Sequence, residues 1–238
     1  MHHDTDEQMV AGVAGLARRA LAVAGEADGV GVVAARALIE GDFRFRVSDF
    51  GFGAGRPAYA WLERSLVLAC GGEVEIDLPA RGLSAELWAA LLRLRQGEAG
   101  PAAGGVVGEV DEVLARYAST DEPALHAQDV NETLESWTYT ELTALHALHN
   151  LALDARRAAW HERVAEAAAW HQEVTQPDYT THEPWALAAF LARPATRPLA
   201  EQQLHDTATF LGRAQPEAAA VIAMLLADAL QAMKMGRA

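Results

Sequence analysis

Histidine carries the clearest chemical potential in this sequence, and its placement is uneven: seven of the nine histidines fall between His126 and His205. His146 and His149 stand three apart, which turns both rings to one face of a helix and suits two metal ligands. Imidazole favours zinc, iron, copper or nickel over magnesium. A transition-metal site, zinc or iron, is therefore one reading of His146 and His149, with His205 as a further ligand. The same stripe carries Leu142, Leu145 and Leu153, so two histidines at the edge of an apolar face are the plainer reading. Glu201 and His205 lie one turn apart with Asp206 following, which suits an acid–base pair or an ordinary surface contact.

The segment from Thr175 to Trp185 is polar, aromatic and titratable. Binding residues concentrate in such connections because the flanking helices hold them in place. Asp178, His182 and Glu183 have the chemistry to coordinate a metal or move a proton, and a capped turn ending at Pro184 is the alternative. Trp160-His161 and Trp170-His171 repeat one dipeptide. Gathered around one groove with Trp137, the residues Trp160, Trp170, His171, Asp178, Tyr179, His182 and Trp185 make a surface for a peptide or small apolar ligand. Scattered, they are aromatics at the edge of a core.

Other patterns lead nowhere catalytic. Gly29-Val30-Gly31-Val32-Val33-Ala34 has the glycine spacing of a dinucleotide fingerprint, but the residues before it have helical rather than strand periodicity. Gly51-Phe52-Gly53-Ala54-Gly55 lacks the Lys-Ser/Thr of a phosphate loop. Cys70, the single cysteine, ends an apolar helix with no histidine near it in sequence, so it reads as a structural thiol. The sequence contains no nucleophile elbow, H-E-x-x-H, EF-hand or di-iron E-x-x-H pair.

Glycine and proline mark the elements that must position these residues. Seventeen of nineteen glycines lie at or before Gly108, and none lies between Gly108 and Gly212. Since glycine costs a helix roughly 1 kcal/mol relative to alanine, residues 109–238 suit long helices and residues 1–108 form a more irregular half. Residues 97–108 are the candidate linker, although one continuous domain is also consistent. Helical spacing predicts elements near residues 10–21, over Val30 to Glu40, from Pro57, from a Ser84 cap, and over Val106 to Tyr117. Phe43 to Val47 alternate like a strand, and Glu73 to Leu78 read as a short strand or link. Thr138-Tyr139-Thr140-Glu141 reads as a capping box, Pro184 opens a helix, Pro194 and Pro198 bracket a turn into another, and Pro216 opens the last. The fold class is all-α: an array of antiparallel helical hairpins, with a curved or toroidal form as one realisation. Gln176-Pro177 and Gln215-Pro216 give a faint repeat at an offset of 39 residues, within the range of helical-pair arrays.

Composition narrows the partners. The formal net charge is -14, with 33 acidic residues against 19 basic ones, which disfavours nucleic acid and anionic membrane surfaces. The N-terminus lacks the basic and apolar pattern of a secretion signal, and a cytoplasmic location is the expectation. The last helix is nearly all apolar from Ala218 to Leu230; homodimerisation explains that, and so does burial within one chain.

The unit Ala167-Ala168-Ala169-Trp170-His171 to Gln176-Pro177-Asp178, followed by Pro184-Trp185, resembles repeats of the terpenoid-cyclase and prenyltransferase α/α-toroid superfamily. Gln176, Asp178 and Trp185 take the Gln, Asp and final aromatic positions over about thirty residues. Tyr179 stands where that family has glycine, and the segment to Trp185 is longer than in the family. The resemblance implies helical-pair architecture and supplies no catalytic residue. Two function classes follow: a binding or scaffolding module, and a metal-binding protein or metalloenzyme using histidines of the second half.

Overall fold

A computed structural model describes residues 2–25, 29–41, 57–76, 80–97, 103–118, 122–175 and 182–236. It is 78% helical, with no strand among the described residues, as the all-α reading expects. The α-helices are α1 (His2–Ala24), α2 (Val30–Glu40), α3 (Pro57–Ala69), α4 (Leu83–Arg95), α5 (Ala103–Tyr117), α6 (Leu134–Ala155), α7 (Ala158–Trp170), α8 (Leu187–Leu191), α9 (Arg197–Leu211) and α10 (Pro216–Met235). A π-helical turn, His171–Thr175, extends α7, and a 3₁₀ turn, Pro194–Thr196, precedes α9.

The punctuation read from the sequence places several of these ends. Pro57 and Pro216 open α3 and α10, and Pro198 lies in the first turn of α9. Gly41 closes α2 in the left-handed conformation, its N–H bonded to Ala37 O. Three expectations need correction. Thr133, not Thr138, caps α6, its Oγ1 accepting from Ser136 N–H at 3.2 Å; Thr138 and Glu141 lie inside the helix and are buried. Ser84 is not the cap of α4, which starts after Gly82; its Oγ meets Thr143 Oγ1 at 2.8 Å and joins α4 to α6. Pro184 stands in a turn, and α8 begins only at Leu187, after Ala186 adopts φ 57°. Residues 73–76 form an irregular link, held where Arg64 donates to Glu75 O and Gln96 to Val74 O. The strand expected at Phe43 to Val47, the Gly51–Gly55 turn and the first Gln-Pro of the repeat lie outside the described residues.

Sequence neighbours pack together, α2 on α3, α3 on α4, α4 on α5 and α6 on α7. Two long helices then join the halves. α10 packs most extensively on α1 and also meets α2, α3, α6 and α8, while α6 meets α4, α7 and α8. One cluster of buried apolar residues runs from Val13 to Ala232, across the expected boundary near residue 108. α10 is long and apolar enough, by length and composition, to cross a bilayer, but 67% of its most apolar window is buried within the fold. The apolar face that offered a dimer surface is covered by the chain's own helices.

Gly31 of α2 sits where α3 and α10 come close. A β-carbon there would lie inside contact distance of Met224 Sδ on α10 and Glu63 Cγ on α3, so this glycine sets how closely three helices approach. The Gly31→Ala variant is expected to lose roughly 1–3 kcal/mol through overpacking, read as a lower urea midpoint with an unchanged slope.

Candidate functional site

α6 carries more of the buried polar side chains than any other helix among the described residues. Glu141 is fully buried and accepts from the Leu125 N–H, from the His126 N–H at 3.2 Å and from His126 Nδ1 at 2.8 Å. His171 Nε2 stands 3.6 Å away on its other side. Burial by itself raises a carboxyl pKa, but the hydrogen bonds from His126 and Leu125, with the His171 ring close by, outweigh it and hold Glu141 down to about 2. Its role is to tie the 122–128 segment to the helix. Arg163 on α7 helps by donating to Pro123 O and Ala124 O.

One turn further along α6, His146 Nε2 meets Asp228 Oδ2 of α10 at 2.8 Å. The amide N–H of Ala186 donates to the other ring nitrogen, Nδ1, at 3.2 Å. A carboxylate accepts and an amide N–H donates, so the geometry assigns His146 the neutral tautomer with its proton on Nε2. Asn150 donates to Asp228 Oδ2 at 2.9 Å and accepts from Arg95 at 2.9 Å. Arg95, the last residue of α4, also bonds Asp154 at 2.7 Å and Ser65 Oγ. Burial works against the Asp228 charge, but the His146 hydrogen bond, the Arg95 charge and the Asn150 amide hold it at about 2.

Neither carboxylate meets solvent. These groups hold helices together.

The structure does not bring the expected metal ligands together. Among the described residues no three His, Cys, Asp or Glu side chains are placed to hold an ion. His146 is committed on both nitrogens, His149 is buried beside the core, and His205 is exposed on α9 together with Glu201. Nor do the tryptophans share one groove. Trp137 and Trp170 meet edge to face at 5.7 Å, with His171 beside both. Trp185 sits in a second cluster with Trp88, Tyr59, Tyr139 and His146. Trp160 is buried apart from both, its indole N–H bonded to Asp111 of α5 at 2.7 Å. His182 packs on Phe210 with ring centroids 4.6 Å apart. Glu183 accepts from Tyr59 at 2.7 Å and from the Trp185 indole at 3.1 Å. Asp178 and Tyr179 lie outside the described residues. Cys70 is a structural thiol: burial pushes it up to about 11, far from a thiolate at neutral pH.

His149 behaves differently from its neighbour three residues back. It is 6% exposed, and its Nδ1 is buried with no hydrogen-bond partner among the described residues. Burial pushes its pKa down to about 3, so the ring is neutral. It lines a pocket of about 540 Å³ with apolar residues from α1, α6, α7, α8 and α10, among them Met9, Leu153, Val164, Ala189 and Met233. His161, Asp6, Arg193 and Arg197 supply its polar positions. None of Trp137, Trp160, Trp170 and Trp185 lines it. The sequence pointed to His149, but the pocket's other residues come from too many elements to be collected by spacing.

Comparison with known protein families, curated proteins and solved structures finds no match to this chain.

The pH dependence of stability separates the framework from the pocket. The unfolded chain protonates His149 below its ordinary value of 6.5 while the folded chain does so only near 3. Unfolding therefore takes up a proton in that window, and stability falls as the pH drops through it, by about 1.4 kcal/mol per pH unit at most. In denaturation between about pH 7 and 5, His149→Leu is expected to lose less stability than the parent chain. Both proteins lose stability together below about pH 4.5, where Glu141 and Asp228 begin to protonate in the unfolded state but stay ionised in the fold until about 2.

Proposed function

We propose that this chain is a helical binding module that takes a small, mainly apolar molecule into the pocket beside His149. The observation that carries the reading is His149 itself. An unsatisfied buried nitrogen costs roughly 1–3 kcal/mol, and a leucine of similar size would avoid that cost. The ring lines the pocket, so a polar group on a bound molecule is placed beside it. The volume of about 540 Å³ lies within the roughly 300–1,000 Å³ of small-molecule sites, and it suits a compact ligand better than a peptide. The wall is apolar with a few polar groups, the pattern by which such sites combine affinity with orientation.

The buried carboxylates support the reading from outside. They fix α6 and α10, which supply His149, Leu153, Ala232 and Met233 to the wall. The pocket is thus built on long helices, and little of the binding free energy goes into ordering it.

The neutral, environment-sensitive dye N-phenyl-1-naphthylamine is expected to bind the full chain saturably at one equivalent, with enhanced fluorescence, and 1-octanol is expected to displace it. Ala165 is half-buried and lines the pocket. In Ala165→Phe the dye signal should be lost while the circular dichroism and thermal midpoint are kept. Dye binding that is absent, or unchanged in that variant, contradicts the proposal.

A further inference from the structure

We infer that the ligand of this pocket is an anion, a carboxylate on an apolar acyl chain, with its head group against Arg193 and Arg197 and its chain along Met9, Leu153, Val164 and Met233. The inference rests on the pocket being a binding site and names what it binds. Its basis is the distribution of charge around one cavity in an acidic protein. The whole chain carries a formal charge of -14, yet two guanidiniums and only one carboxylate line the pocket.

That one carboxylate is already engaged. Asp6 Oδ1 accepts from Arg197 Nη2 at 2.7 Å, so it offers little to a cationic ligand. Arg197 is not thereby satisfied: its Nε is buried with no hydrogen-bond partner among the described residues. Arg193 is exposed at the rim and forms no ion pair among the described residues. Two guanidiniums four residues apart, one open to solvent and one half-buried, present the planar N–H donors that recognise carboxylate oxygens. Held neutral, His149 adds no charge of its own and can donate one N–H to a ligand oxygen. A cationic head group would meet two like charges, and a neutral one would forgo the charge-assisted hydrogen bonds that a guanidinium makes to an anion. An acyl carboxylate matches both the charge and the apolar wall.

Displacement of the bound dye by three eight-carbon compounds tests the head group alone: octanoate, 1-octanol and octylamine at neutral pH and constant ionic strength. Octanoate is expected to displace the dye at a concentration about tenfold or more below that of 1-octanol, the size expected of a charge-assisted hydrogen bond. Octylamine should be the weakest. In Arg197→Gln and Arg193→Gln the advantage of octanoate over 1-octanol should shrink while 1-octanol itself displaces as before. Arg193 is at the rim, so its variant keeps the test open if the loss of the Arg197–Asp6 pair unsettles α1. Octanoate no better than 1-octanol, or an advantage that survives both substitutions, overturns the anion assignment and leaves the apolar pocket standing. A chain that takes up neither the dye nor any of the three compounds overturns the pocket as well.

Discussion

Asp228 stands inside the long apolar helix α10 with 1% of its surface exposed, and a lone carboxylate in that position would cost several kcal/mol or lose its charge. It keeps the charge because α4 and α6 come to it. His146 and Asn150 approach from α6, and Arg95 reaches in from the end of α4 while holding Asp154 and Ser65. The requirement that these donors be present together fixes how three helices sit against one another. Removing one partner of such a buried set typically costs about 3–5 kcal/mol, because the charge that remains is uncompensated.

The consequences run along the same helices. His149 follows His146 by three residues and Ala232 follows Asp228 by four, so the groups that line the pocket continue the faces locked by the polar network. The network also reaches the connection before α8. The Ala186 N–H that caps His146 Nδ1 belongs to a residue at φ 57°, a backbone state that alanine adopts only at a cost of about 1–2 kcal/mol. The hydrogen bond to His146, the Gln203 bond to Trp185 O and the packing of Trp185 between Tyr59 and Trp88 hold it there. This is why Pro184 does not start a helix: the chain must first turn Ala186 toward the buried imidazole.

Helix type and several ends were legible in the sequence because proline acts locally, as at Pro57 and Pro216. What failed depended on tertiary partners. Thr138 to Glu141 has the spacing of a capping box, and so does not differ in sequence from a stretch one turn inside the helix; only the burial of Glu141 beside His126 and His171 tells them apart. The pair His146 and His149 shares one face as its spacing requires, but one imidazole serves a buried aspartate and the other faces a pocket, and spacing cannot say which. One signal was there to be used. Asp228 is the lone charge between Glu217 and Lys234 in an apolar helix, and such a residue requires buried donors from elsewhere in the chain. The pocket left no comparable trace, since α1, α6, α7, α8, α9 and α10 each contribute to it.

Long-range proton–nitrogen NMR correlation of the imidazole rings tests this account most directly, because it reads tautomer and charge at His146 and His149 in one spectrum. At neutral pH His146 should appear with its proton on Nε2, and at about pH 5, between the ordinary histidine value and the about 3 to which His149 is pushed, His149 should still be neutral. His146 with its proton on Nδ1, or His149 already charged at that pH, would contradict both the Asp228 framework and the buried, unpartnered imidazole on which the pocket assignment depends.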